Sequence, residues 1–208
     1  MEPYSVTTRT AGIDDLYPLA EVMWFARKAA YANGSLPRQD LNLRRHENPA
    51  TASDWIGIIR AAEALRPNLM GQGLLPEDSS PLTGGYLILA AEANHQVVGK
   101  FGINFRPQLR RVGFMGVDVR PEYQGIGIAT ELRAAAIHLA YKHMPDVQEV
   151  RFGRYRKSDI YAAKHLPNSF FERLRRQAVL IEPSVSGTIK TAFYTVPIET
   201  YIKELHRD

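Results

Sequence analysis

Apolar residues recur along this chain with two periods, and each change of period marks an element. Ser5–Arg9 is short and β-rich and predicts a first strand. Asp14 or Asp15 then caps a helix through Ala32, with Leu16, Leu19, Ala20, Met23, Trp24 and Ala30 at helical spacing. Asn33-Gly34 stops it. Residues 33–51 are polar and read as loop. Ser53 caps a second helix over Asp54–Leu65, expected to end before Pro67. Residues 66–84, rich in Pro and Gly, read as a long surface loop.

The period then shortens to two. Tyr86–Ala91 and Val97–Phe105 flank Ala-Asn-His-Gln and predict a hairpin. Arg111–Val119 is a third strand, and Gly113 and Gly116 inside it suggest a bulge or a close backbone approach. After the Pro121-Glu122-Tyr123 turn the helical period returns over Gln124–Tyr141, with Ile128, Leu132, Ala135 and Leu139 on one face. A strand over Val147–Tyr155, a helix over Pro167–Arg176, strands over Ala178–Ile181 and Thr188–Val196 and a terminal helix near Ile198–His206 complete the pattern. The order β-α-α-β-β-β-α-β-α-β-β is that of a mixed α/β domain.

Composition narrows the chemistry. The 208 residues fit one domain, 1–208, and 45% hydrophobic with 23% charged residues is an ordinary globular balance. The absence of cysteine excludes a disulfide framework, a Cys-ligated zinc site and a cysteine nucleophile. Gly85–Ala91 is too short an apolar run to cross a bilayer, and Met-Glu-Pro-Tyr-Ser lacks the n- and h-regions of a secretory signal, so the expected location is cytoplasmic, with no membrane partner. The net charge of +4 is uneven: Lys142–Arg176 holds nine basic and four acidic residues. That stretch is either a solvated basic face or a site for an anionic partner. It carries no helix-turn-helix and no aromatic RNP pattern, so nucleic acid is not the expected partner.

The informative segment is Val117-Asp118-Val119-Arg120-Pro121-Glu122-Tyr123-Gln124-Gly125-Ile126-Gly127-Ile128-Ala129-Thr130. A strand enters a tight turn, then a glycine-containing loop, then a helix. Small residues leave the amides of residues 125–130 open at a helix start, where free N–H groups and the dipole favour an anion such as a pyrophosphate. A dinucleotide fingerprint fits poorly, because Gly125-x-Gly127-x-x-Thr130 lacks the third small residue and follows a meander of strands. A Walker A loop fails for want of Gly-Lys-Ser/Thr. A glycine-rich helix start that binds nothing is the remaining rival.

Gln124-x-x-Gly127-x-Ala129 after Val119-Arg120-Pro121 resembles the signature of the GNAT superfamily of acyl-CoA-dependent N-acyltransferases, and the order of elements resembles that fold. The resemblance implies a mixed, mostly antiparallel sheet of about seven strands flanked by about four helices. It implies that the backbone of Val117 and Val119 pairs with the pantetheine arm of acetyl-CoA, and that a bulge at Gly116 aims an amide at the thioester carbonyl. The amides of Gln124, Gly125, Ile126, Gly127, Ile128, Ala129 and Thr130 would hold the pyrophosphate. Asn168-Ser169-Phe170-Phe171-Glu172-Arg173-Leu174 is similar to a family run, which makes Asn168 a candidate pantetheine contact. The tyrosine that often protonates the leaving thiolate falls on Phe171, and Arg175-Arg176 replaces the usual Gly-Phe.

The implied activity is N-acetyl transfer from acetyl-CoA to a primary amine of a small molecule or peptide, directly in a ternary complex and without a metal. A CoA-binding sensor or scaffold is the alternative that Phe171 raises. Tyr161 is the first candidate acid, before Tyr155 and Ser169. Asp118 and Glu122 are candidate bases. Asp118 alternates with Val117 and Val119, so it reads first as a solvated strand-face carboxylate and second as a water-relayed base. His138 and His143 do not share a helical face as metal ligands would. Trp24, Tyr31 and Trp55 are candidate walls of the acceptor pocket, and residues 66–84 a candidate lid. Arg151, Arg154, Arg156, Lys157, Arg173, Arg175 and Arg176 are candidate partners for the 3′-phosphate of CoA. A homodimer is left open.

Overall fold

Seven strands build one sheet in the order β1-β2-β3-β4-β5-β7-β6. The computed structural model describes residues 5–36, 53–72, 85–155, 164–186 and 189–207. The strands are β1 (Val6–Thr10), β2 (Gly85–Ala93), β3 (Gln96–Arg106), β4 (Arg111–Val119), β5 (Glu149–Tyr155), β6 (Val179–Ser186) and β7 (Ile189–Pro197). The helices are α1 (Leu16–Ala32), α2 (Asp54–Gln72), α3 (Ile128–His143), α4 (Phe170–Gln177) and α5 (Ile198–Leu205). All neighbouring strands are antiparallel except β4 and β5. The expected mixed, mostly antiparallel sheet is present, and the terminal segment adds a fifth helix. No described helix is long and apolar enough to cross a membrane.

Alternation along the strands assigns the two faces. Leu87, Leu89, Phe101, Ile103, Phe105, Val112 and Phe114 form one core with Ile128, Leu132, Ala136 and Ala140 of α3 and with residues of α4 and α5. Ile88 and Ala90 look the other way, into a second core with Leu16, Leu19, Ala20 and Trp24 of α1 and Ile58, Ala61, Leu65 and Leu69 of α2. The β2–β3 hairpin turns on Asn94 and His95, at φ +51° and +61°. Two consecutive left-handed residues match the right-handed twist of the strands they join.

Two helices differ from the sequence pattern. α2 continues through Pro67 to Gln72, so residues 66–72 are helix and residues 73–84 lie outside the described residues. A proline inside a helix costs about 3 kcal/mol. Leu65 and Leu69, one turn apart on either side of it, are both buried and carry the apolar stripe across the break. α3 begins at Ile128 rather than Gln124, because Gly125 and Gly127 adopt left-handed φ and cannot be counted in a right-handed helix.

α1 and α2 meet through Trp24. Its ring is 2% exposed, and a Cβ placed on Gly57 would lie 2.4 Å from it. Trp24 Nε1 donates to Asp54 Oδ1 at 2.8 Å, which fixes the ring against the start of α2. Ala is ordinarily the better helix former by about 1 kcal/mol. Here overpacking wins, and Gly57→Ala is expected to destabilise the protein by about 1–3 kcal/mol, read as a lower urea midpoint. An unchanged or higher midpoint would mean that α2 does not rest on this ring.

Candidate functional site

The sheet opens where its parallel pair parts. β4 and β5 pair only over Arg111–Phe114 and Glu149–Phe152. On its other edge β4 stays paired to β3 as far as Val119, with a register shift between Phe101 and Gly102 that leaves Gly116 unpartnered. The bulge expected at Gly116 is therefore there, and a Cβ on Gly116 would meet nothing within 4 Å. Val117 and Val119 lie beyond the last β4–β5 pair, so their backbone edge on that side pairs with no strand among the described residues. Such an edge is a template for an extended ligand.

The chain next builds a glycine loop. Tyr123 N donates to Arg120 O at 2.9 Å, closing the Pro121–Tyr123 turn, and Gln124 Nε2 donates to Val119 O at 3.0 Å, tying the loop to the strand end. Gly125 and Gly127 have φ of +83° and +91° with open space where a Cβ would stand. Gly127 O accepts the amides of Thr130 and Glu131, while the amides of residues 125–129 have no backbone acceptor among the described residues. Ile126 is exposed, but Ile128 is buried on β3, where a Cβ on Gly99 would come within 2.9 Å of it. The first turn of α3 is thus pinned to the sheet with its free amides facing out. A phosphate group fits this cradle by its open volume, its unpaired donors and the positive end of the helix dipole.

Asp118 differs from its first reading. It is not a solvated carboxylate: it is 9% exposed on the α1 side of the sheet, with Lys100 Nζ 2.8 Å from Oδ2 and Arg27 Nε 3.6 Å from Oδ1. Burial alone would raise its pKa, but the two cations outweigh burial and hold it below the usual carboxylate range. Strand alternation gave the face correctly; the cations that bury it come from α1 and β3, which local sequence does not reveal. Glu122, the other candidate base, is exposed, and Arg120 Nη1 lies 3.6 Å from it.

Tyr86 was missed by sequence reading. Its hydroxyl oxygen lies 2.2 Å from the Cβ position of Gly102, where Met115 Cβ is also found at 3.0 Å. Its pKa is pushed up to about 12, by burial and then by Asp118. The missing signal was Gly102, the glycine that makes room for the phenol.

The α4 side holds fewer of the expected contacts. Asn168 is exposed just before the Ser169 cap, and its carbonyl accepts from Arg173 Nη1. Phe171 packs on Phe152, Phe170 and the Arg133 guanidinium. Tyr161 lies outside the described residues, as do Arg156, Lys157 and the side chains of Tyr155 and Arg154. Arg173 and Arg175 are paired with internal carboxylates, whereas Arg176 is tied only to a backbone carbonyl. Arg173 Nε donates to the buried Glu204 at 2.9 Å, Arg175 binds the buried Glu172 at 3.0 Å, and Arg176 Nη2 donates to Pro167 O at 2.9 Å. Two arginines of the basic stretch, Arg173 and Arg175, neutralise internal carboxylates.

The expected acceptor walls change too. Trp24 is core and Tyr31 packs against it, while Trp55 is 64% exposed. A cavity of about 450 Å³ lies on the α1 face of the sheet, lined by residues of β3, β4, β5 and β7 that include Met115, Gly113, Arg151, Gly153 and Phe193. His138 and His143 belong to no cluster of metal-ligating side chains among the described residues.

Residues 63–153 match the family described as acetyltransferase (GNAT) family. No curated protein matches the sequence. Among solved structures, PaiA N-acetyltransferase from Thermoplasma acidophilum in complex with coenzyme A is 18% identical, covering 91% of this chain and 98% of that one, with a TM-score of 0.57. RimL, a ribosomal alpha-N-protein acetyltransferase in complex with coenzyme A, is 14% identical over 94% and 96% of the two chains, with a TM-score of 0.54. Spermidine N-acetyltransferase from Vibrio cholerae in complex with CoA and spermine is 12% identical over 95% and 98%, with a TM-score of 0.52. At these identities the likeness is one of fold.

Asp118→Asn would leave Lys100 and Arg27 facing a neutral amide in a buried setting. A loss of about 3–5 kcal/mol at pH 7 is expected, the usual result of breaking a buried pair. A carboxylate with a depressed folded pKa contributes its stability above the unfolded value, near 3.9, and loses it as pH falls through the lower folded value. The gap between wild type and variant should therefore narrow in urea titrations below about pH 4. A gap of the same size at pH 7 and at the acid end would contradict the ion pair.

Proposed function

We propose that this chain, a GNAT-superfamily member by its family match over residues 63–153 and by its fold, transfers an acetyl group from acetyl-CoA to a primary amine. The observation that carries the proposal is the parting of β4 from β5 directly before a glycine cradle with unpaired amides. In this reading Gln124 through Thr130 hold the pyrophosphate, the free edge at Val117 and Val119 pairs with the pantetheine arm, and Asn168 contacts it from the α4 side. Acetyl-CoA supplies the thioester. The amine nitrogen forms a bond to the acyl carbon, the C–S bond breaks, and the proton the amine gives up balances the one the departing CoA thiolate takes up. A backbone amide at the Gly116 bulge is suited to donate to the oxyanion. With no cysteine in the chain, direct transfer in a ternary complex is the economical route.

Tyr161 remains the proposed acid for the leaving thiolate. Asp118 enters as a fixed negative charge held by Lys100 and Arg27; its depressed pKa makes it a weak base, so its proposed part is to position those cations and polarise the site. The Tyr86 hydroxyl is buried near the same charges. One observation favours a binding-only protein instead: Phe171 sits in an apolar cluster and offers no hydroxyl. Location in the cytoplasm and action as a single domain are part of the same proposal.

Acetyl-CoA at about 100 times its Kd should stabilise the fold by about 2.7 kcal/mol, or roughly 5–10 °C in Tm for a chain of this size. Gly127→Trp, which fills the cradle at a left-handed position, should abolish that shift. Release of free thiol with an amine panel then separates transfer from binding alone. No shift with millimolar acetyl-CoA, or a full shift in Gly127→Trp, would overturn the cofactor site.

A further inference from the structure

The cavity on the open sheet face has an asymmetry of charge that bears on the acceptor. Its floor is made by two glycines: Gly113 pairs with Arg151 across the parallel ladder, and Gly153 pairs with Phe193. The missing side chains leave a trough between neighbouring rows. Arg106 and Arg111 face each other across β3 and β4 on the same side of the sheet, and Arg111 continues to Glu149. Met115, Gly153 and Phe193 line the end where β4 and β5 part, so the trough runs into the opening proposed for the thioester.

Three arginines line this space, and one of them is partnered. Arg111 is 2.7 Å from Glu149 Oε2. Arg106 is exposed, with no ion pair among the described residues. The Arg151 guanidinium lies 4.4 Å above the Phe193 ring centroid, and its buried Nε has no hydrogen-bond partner among the described residues. The ring contact holds the guanidinium over Phe193, and its donors have no hydrogen-bond partner among the described residues. A planar, pre-oriented fork beside an apolar wall suits a carboxylate or phosphate on a molecule with an apolar body. Among the described residues the trough is net positive, which disfavours a polyamine.

We propose that this trough is the acceptor subsite, and that it selects amines carrying a carboxylate or phosphate through Arg151 and Arg106. Naming the occupant as the acceptor rests on the acetyl-transfer reading; the anion preference rests on the trough itself. Phe193, Leu109 and Met115 supply its apolar contacts. The amine end points toward the β4–β5 opening and the anion lies toward Arg151.

The test uses the full chain saturated with CoA, titrated calorimetrically with leucine, phenylalanine and their amides, with O-phosphoethanolamine against ethanolamine, and with spermidine. Thiol release with acetyl-CoA is run on the same panel. At least one acid should bind about tenfold or more tightly than its neutral counterpart, which is the scale of one charge-assisted pair. The carboxylate and phosphate arms identify which anion the fork prefers. Arg151→Gln and the more exposed Arg106→Gln should each erode the preference, and Arg106→Gln, which has no part in the cofactor site, should keep the melting shift with acetyl-CoA. Equal binding of acids and neutral amines, tighter binding of spermidine, no binding of any member, or an unchanged preference in both variants would overturn the inference. Silence in thiol release alongside a calorimetric anion preference would remove the transfer reading and keep the anion site.

Discussion

The parting of two parallel strands organises this molecule. β4 and β5 are joined by a crossover through α3, and they share only four residue pairs before they diverge. Backbone polar groups beyond that point have no strand to bond on one side among the described residues, a condition a buried sheet does not tolerate without another partner. Three features follow from the same opening. The Gly116 bulge lies just past the last pair, the glycine cradle sits where β4 runs out, and the arginine-lined trough starts at Met115 and Gly153 on the other face. None of them would be usable if β5 followed β4 to its end.

The strength of the opening comes from how well both walls are held. On one face, Ile128 and Leu132 press α3 onto Gly99 of β3, so the cradle cannot drift from the sheet. On the other, Asp118 binds Lys100 of β3 and Arg27 of α1, stitching the end of β4 to its neighbour and to the helix above. Asp118 and Val119 are consecutive, yet one serves the ion pair and the other the apolar core. The strand end is clamped from both faces while its β5 edge stays free.

Local patterns made much of this legible. The period of two gave the strands, the period of 3.6 gave the helices, and Gly116 announced its bulge, because each depends on residues close in sequence. Gln124 to Ala129 marked the cradle for the same reason. What escaped depends on register and on partners far along the chain. Asp118 looked solvated because Arg27 is ninety residues away in sequence. The trough needs Gly113 beside Arg151 and Gly153 beside Phe193, a match that no single strand displays. Pro67 looked like a helix end because its cost is local, whereas the burial of Leu69 that offsets it is tertiary.

The basic stretch shows how net charge and available charge diverge. Arg173 and Arg175 serve Glu204 and Glu172, two carboxylates that are fully buried and would be costly if left alone. Arg207 adds a second cation to Glu204. Arg173 ties α4 to α5 while Arg175 and Arg207 pair within their own helical segments, and charge counted along the sequence overstates what an anion can reach. Arg151 belongs to the same stretch but points the other way, since it stands on a strand whose alternate residues leave the core. Its neighbour Phe152 is 2% exposed and enters the apolar core instead. The alternation of one strand therefore separates arginines that stabilise the fold from the one stacked on Phe193, and it places that one beside the opening that β5 itself creates by leaving β4.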